Sequence, residues 1–128
     1  KPILFGMAQC DRDNKTLIMT EGQIDSLSVA EAGFNNAVSV PTGKNGFTWV
    51  RHCWDFLNSF DTLIVFGDHE HGEITLLEPM AAHFNGQVCH VRIEDYRDCK
   101  DANEILCKHN FTCKAFATKN LMFIRTNL

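Results

Sequence analysis

Thr16-Leu17-Ile18-Met19-Thr20-Glu21-Gly22-Gln23-Ile24-Asp25 decides the fold of this chain. An apolar run of strand length ends in a carboxylate and a glycine, and helical character follows. A carboxylate at the end of a parallel strand lies on the rim where α/β proteins bind their ligands. The arrangement recurs where Thr62-Leu63-Ile64-Val65-Phe66 runs into Gly67-Asp68-His69-Glu70-His71-Gly72. If the two strands are neighbours, Glu21, Asp68 and Glu70 converge on one small volume. Carboxylates that close repel one another unless cations lie between them, so the pattern predicts a divalent-metal site.

Working outward, strands and helices alternate. The apolar segment 37–40 reads as a second strand, 62–66 as a third and 87–93 as a fourth. Between them, Ile24, Leu27 and Ala30, with Val29, predict the inward face of a first helix that stops at Gly33. Trp49, Val50, Cys53, Trp54 and Leu57 predict one face of a second helix. A third is expected over 73–84, with Ile74, Leu77, Met80 and Ala81 inward and Pro79 as an irregularity. A polar loop, 94–100, leads to a short helix from Asp101 or Ala102 to His109. The opening residues suggest an edge strand or hairpin arm; near the end, 111–119 could be helical and 121–125 a strand. The predicted fold is α/β: a mainly parallel sheet of about four strands with helices on both faces.

The 128 residues make one domain, 45% apolar and 22% charged, as in soluble globular chains. No apolar run approaches the ~20 residues that span a bilayer, so no membrane partner is expected. A net charge of −4 argues against gripping nucleic acid by charge alone, although an acidic site that recruits phosphate through metal ions escapes that objection. The six cysteines include no C-x-x-C pair, which removes zinc-ribbon spacing, and a cytoplasmic location is expected. The chain opens on Lys1 inside ordered-looking sequence, as expected of a fragment of a larger protein.

Gly22 lets the backbone turn sharply and lets a phosphate or metal approach. Asp25, one helical turn beyond Glu21, can point back to the same rim; both acids equally suit a solvated helix start. Asp68 and Glu70 face one side if the chain stays extended, and oxygen-only ligands suit Mg²⁺ or Mn²⁺. His69 and His71 keep zinc open, though they alternate with the acids and read as flanking residues. Lys44, Arg51, His52, Arg92 and Arg97 are candidate phosphate contacts with solvated surface the better expectation, and Trp49 and Trp54 read as core or interface anchors.

Glu21-Gly22 with Asp25, then Val38-Ser39-Val40-Pro41-Thr42-Gly43, then Asp68-x-Glu70-x-Gly72 resemble a Toprim domain, with a core of about 16–108. The Ser-Val-Pro-x-Gly loop and Lys100-Asp101-Ala102-Asn103-Glu104 resemble, more narrowly, the primase domain of phage-type and mitochondrial-type primase-helicases and bacterial primases. The resemblance implies that Glu21, Asp25, Asp68 and Glu70 are catalytic. It implies further that Glu21, Asp68, Glu70 and Asp101 hold Mg²⁺ or Mn²⁺, and that Gly22, Gly43 and Lys44 lie against substrate phosphate. Glu70 stands where the family has Asp. The implied activity is RNA-primer synthesis from ribonucleoside triphosphates on a single-stranded DNA template, beside a helicase domain or partner. A Toprim-type nuclease is the alternative. A receiver-like binding module lacks its paired acids, and a topoisomerase lacks its tyrosine, since Tyr96 lies outside any matching motif.

Overall fold

The computed structural model describes residues 4–41, 47–109 and the backbone of Leu121–Met122. Five strands form one sheet in the order β2-β1-β3-β6-β7: β1 is Thr16–Thr20, β2 Ala37–Ser39, β3 Thr62–Val65, β6 Gln87–Val91 and β7 Leu121–Met122. The first four are parallel, and β7 adds antiparallel to the edge of β6. Leu17, Ile18, Met19, Leu63, Ile64 and Val65 are all buried, because helices cover both faces of a parallel sheet and leave no strand position for water.

Helix α1 (Gln23–Glu31) carries β1 to β2 on one side. The chain then crosses back over β1 to β3, which for right-handed connections puts the intervening helices on the opposite face. Those are α2 (Trp49–His52) and α3 (Trp54–Leu57), and α4 (Leu77–His83) joins them on the way to β6. The stacking of Phe47 on His83, 5.5 Å between centroids, locks that layer. Helix α6 (Ala102–His109) returns to pack on α1. The reversal of strand order falls between β1 and β3, where open α/β sheets form their crevice.

Several expectations are corrected. Segment 73–84 is not one helix: β4 (His69–Glu70) and β5 (Glu73–Ile74) form a hairpin, and only Leu77–His83 is helical. The hairpin turns on His71 and Gly72, both at positive φ (54° and 80°), as tight two-residue turns demand. Pro79 therefore falls in the first turn of α4, where its missing N–H costs no intrahelical bond. The second helix breaks at Cys53 (φ −114°, ψ 15°); the break turns Trp54 outward, 42% exposed, and brings Phe56 inward with Trp49, Val50, Cys53 and Leu57. The expected polar loop contains helix α5 (Ile93–Tyr96), which buries Tyr96 completely. The opening segment makes a single bridge, Phe5 to Ser39, and then a 3₁₀ turn at Met7–Gln9.

A further correction concerns α1. Ile24 and Leu27 face outward, 59% and 51% exposed, and the inward face is Asp25, Ser26, Ser28, Val29 and Ala32. That face is polar because it hydrogen-bonds α6, so apolar periodicity points to the wrong side. The end of the helix follows the sequence: Gly33 at φ 111° donates to the Ala30 carbonyl and Phe34 N–H to that of Val29, a Schellman cap.

Asn36 is buried and clamps the opening loop to the sheet. Its amide NH₂ reaches the carbonyls of Asp11, Asn14 and Thr16 at 2.9–3.2 Å, and its Oδ1 accepts from Asp11 N–H at 2.8 Å. Removing it strands several buried backbone groups. Asn36→Ala is expected to lower unfolding free energy by about 2–4 kcal/mol in urea denaturation; a loss below about 0.5 kcal/mol would mean that water replaces the clamp.

Candidate metal centre

Parallel pairing sets the geometry. β1 and β3 run in register from Thr16 opposite Thr62 to Met19 opposite Val65, so both strands end at one level. Phe66 N–H donates to the Met19 carbonyl (2.8 Å), extending the pairing one step before the chains diverge. Glu21 and Asp68 follow immediately, and Asp68 N–H donates to the Glu21 carboxylate.

The structure brings Asp25, Asp68 and Asp101 together, one carboxylate oxygen of each lying within 4.8 Å of the others. Asp25, in the first turn of α1, is held by Asn103 N–H (3.0 Å to Oδ1), and Ser28 Oγ donates to Asn103 Oδ1 at 3.1 Å. Asp101 caps α6 by accepting Glu104 N–H at 2.9 Å, and Glu104 Oε1 accepts Lys100 N–H at 3.0 Å. The sequence Asp-x-x-Glu is thus a helix start as well as a site motif.

Glu21 stands behind this trio, against Gly67. Glu70, exposed in the β4–β5 hairpin, lies at the rim outside the trio, although its charge still reaches Glu21 and Asp68. The hairpin explains that placement, since the chain leaves β3 and folds back on itself instead of running on over the crevice. His69 and His71 contribute no ligand to the trio; His69 packs its ring on Tyr96 at 4.6 Å. Gly22 lies beneath Asp25, where a Cβ would approach Oδ2 to 3.0 Å. Gly43 and Lys44 lie outside the described residues, as does 111–119. Arg51, His52 and Arg97 are exposed, and Arg92 pairs with Asp95 (3.0 Å).

Gly67 and Tyr96 were not assigned roles from sequence. A Cβ on Gly67 would meet Glu21 Oε2 at 3.1 Å and the side chains of Leu76 and Ile74 at 3.1 and 3.2 Å, so only glycine lets Glu21 pack there. Tyr96 donates its hydroxyl to the Gly67 carbonyl at 2.6 Å. A glycine directly after a strand was the available signal for the first; no local pattern announces the second.

Burial, and then the Asp68 charge, pushes Glu21 up to about 7. Burial, and then Asp101 and Asp68, pushes Asp25 up to about 6, against the Asn103 N–H that favours its charged form. Asp68 is raised by burial and by Asp101, with Lys100 opposing. The neighbouring carboxylates thus oppose one another's charged forms, a repulsion that a divalent cation between them would relieve. Asp68 Oδ1 is buried with no partner, which is the condition of a ligand atom awaiting a cation. The donor set, carboxylate oxygen only, fits a hard divalent ion that retains waters.

Raised carboxyl pKa values mean that the folded chain holds more protons than the unfolded chain from about pH 4 to about pH 7. Stability of the metal-free protein is therefore expected to fall as pH rises through that window, and Mn²⁺ to reduce the fall. Asp98, held below the usual carboxylate range by Lys108 and His109, acts only below the window. Thermal melts with chelator and with Mn²⁺ would check this; a flat metal-free profile would mean that the carboxyls are solvated.

The Toprim-like family profile matches residues 18–106. Two proteins of Arabidopsis thaliana are similar: "Primase homolog protein", 28% identical over 83% of this chain and 37% of its own length, and "Twinkle homolog protein, chloroplastic/mitochondrial", 29% identical over 81% and 17%. The chain thus spans well under half of either relative. Among solved structures, a DNA primase domain from Pseudomonas aeruginosa superposes with a TM-score of 0.68 (17% identity, 94% of this chain, 39% of that one). The Escherichia coli primase catalytic core does so at 0.63 (21%, 93% and 39%). A chain from the bacteriophage T7 lagging-strand polymerase complex with primase domains of two gp4 subunits does so at 0.61 (23%, 84% and 55%). These likenesses establish the fold, and the profile, over more than half of the residues, establishes the family: the chain belongs to the Toprim-like family.

Proposed function

We propose that the chain is the catalytic Toprim domain of a larger DNA primase or primase-helicase, joining ribonucleotides on a single-stranded DNA template with Mg²⁺ or Mn²⁺. The observation that carries this is the convergence of Asp25, Asp68 and Asp101 at the β1–β3 crevice. The primase names and structures among its relatives support the choice of reaction.

Asp68 and Asp101, with Asp25, would hold the ion. Bound there, it would neutralise triphosphate charge and lower the pKa of an attacking 3′-hydroxyl. Glu21, at the back of the crevice with a pKa near neutrality, can accept a proton at its carboxylate. Gly67 keeps that carboxylate in place by leaving it room, and the Asn103 N–H orients Asp25. Glu70 at the rim would add negative charge near the ion and not a bond to it. Template, nucleotides and a helicase neighbour are the partners this role requires. No described helix is long and apolar enough to cross a membrane. Thiols at Cys10, Cys99 and Cys107 suit a reducing compartment that holds DNA, whether bacterial cytoplasm or the interior of an organelle.

Calorimetric titration with Mn²⁺ is expected to show binding that Asp68→Asn with Asp101→Asn weakens at least about tenfold, while Glu70→Gln changes it less than about threefold. Binding that survives the double substitution would move the site elsewhere, and the assignment would fall. Incubation with a labelled single strand separates the reactions. Extension that needs ribonucleotides supports the primase, whereas shortening with Mn²⁺ alone favours the nuclease.

A further inference from the structure

A second group of metal-ligating atoms lies on the far side of the segment that carries Asp101. Asp98 Oδ1 lies 3.5 Å from Cys99 Sγ and 3.0 Å from His109 Nε2, and all three ligand atoms fall within 4.8 Å of one another. Asp98 comes just after α5, and His109 is the last residue of α6. The remaining contact is Lys108 Nζ on the other carboxylate oxygen, Oδ2, at 2.8 Å.

We propose that Asp98, Cys99 and His109 form a zinc site, with the fourth position open to water or to a further ligand. The chemistry differs from that of the acidic trio, because a thiolate and an imidazole select borderline-soft ions where carboxylates select hard ones. The two edges that share Asp98 Oδ1 agree. For tetrahedral zinc with bonds of about 2.0 Å to oxygen and nitrogen and about 2.3 Å to sulfur, the oxygen–sulfur edge is about 3.5 Å and the oxygen–nitrogen edge about 3.3 Å. The observed separations are 3.5 and 3.0 Å.

The thiol hydrogen already points at Asp98 Oδ1, and the imidazole shares the same oxygen. One ion replaces these two contacts: Cys99 releases its thiol proton to solvent, and His109, protonated on Nδ1, presents the lone pair of Nε2. Lys108 stays on Oδ2 and balances charge. The ion would clasp the start of the 98–101 segment to the end of α6, and so fix the segment from which Asp101 and Asn103 reach the crevice.

Cobalt titration of the reduced protein tests this without reference to activity, since thiolate bonded to Co²⁺ gives an intense charge-transfer absorption that carboxylate ligation does not. One equivalent is expected to give that absorption with the visible bands of tetrahedral cobalt, and Zn²⁺ is expected to displace it. Asp68→Asn should leave it intact, which separates it from the acidic trio. Cys99→Ser should abolish it, and His109→Ala, at a half-buried position that does not threaten the fold, should weaken cobalt affinity at least about tenfold. No charge transfer in the parent, or charge transfer that persists in Cys99→Ser, would overturn the proposal.

Discussion

The site depends on one constraint: β1 and β3 are parallel neighbours in strict register. A shift of one residue would turn every side chain of a strand to the other face of the sheet. Here it would move Glu21 and Asp68 to different depths and break the Asp68 N–H bond to Glu21. Register is held by apolar side chains on both faces, Leu17 beside Leu63 and Met19 beside Val65 on one and Ile18 beside Ile64 on the other, none exposed by more than a trace. The chemistry at the rim is therefore positioned by packing several residues away. Each fully buried residue of this size contributes about 2 kcal/mol, which is enough to absorb the repulsion of acids gathered at the strand ends.

The second support is polar. Helices α1 and α6 face one another through Asp25, Ser28 and Asn103, where helices of this class ordinarily meet through apolar side chains. Such a contact costs desolvation, and every group in it needs a partner to offset that cost. It has them: the Ser28 hydroxyl is shared between the Ile24 carbonyl and Asn103 Oδ1, and Asp25 receives the Asn103 N–H. The consequence for the site is that Asp25 and Asp101 are not independent. Both hang on the start of α6, one by capping it and the other by accepting its backbone.

These two supports explain what sequence could show. β1 and β3 were legible because strands buried on both faces are unbroken apolar runs, and Gly33 because a left-handed cap excludes most other residues. The acids Glu21 and Asp68 were legible by position at strand ends, and Asp101 through the resemblance carried by Lys100-Asp101-Ala102-Asn103-Glu104. The orientation of α1 was not, since its inward face is Asp25, Ser26 and Ser28 and hydropathy points to Ile24 and Leu27 instead. The hairpin after Asp68 was missed because Ile74, Leu77, Met80 and Ala81 also fit a helical period, and only the positive φ at His71 and Gly72 decides against it. Tyr96 and Asn36 act through single long-range hydrogen bonds, which leave no periodic trace.

Gly67 joins these strands of reasoning. It lies between an apolar strand and the acid that ends it, and it touches both systems: Leu76 and Ile74 on the packing side, Glu21 on the chemical side. Its carbonyl is fixed by the Tyr96 hydroxyl, so the peptide leading to Asp68 cannot rotate without breaking a 2.6 Å bond inside the core. Tyr96 itself packs edge-on to both Phe66 and His69. The direction of Asp68 is thereby set from below by a buried aromatic cluster and from the side by Glu21. A carboxylate oxygen held that firmly with no partner would be costly in a finished core. At the mouth of a crevice, beside Asp25 and Asp101, it is the arrangement expected of a ligand whose direction is fixed before the ion arrives.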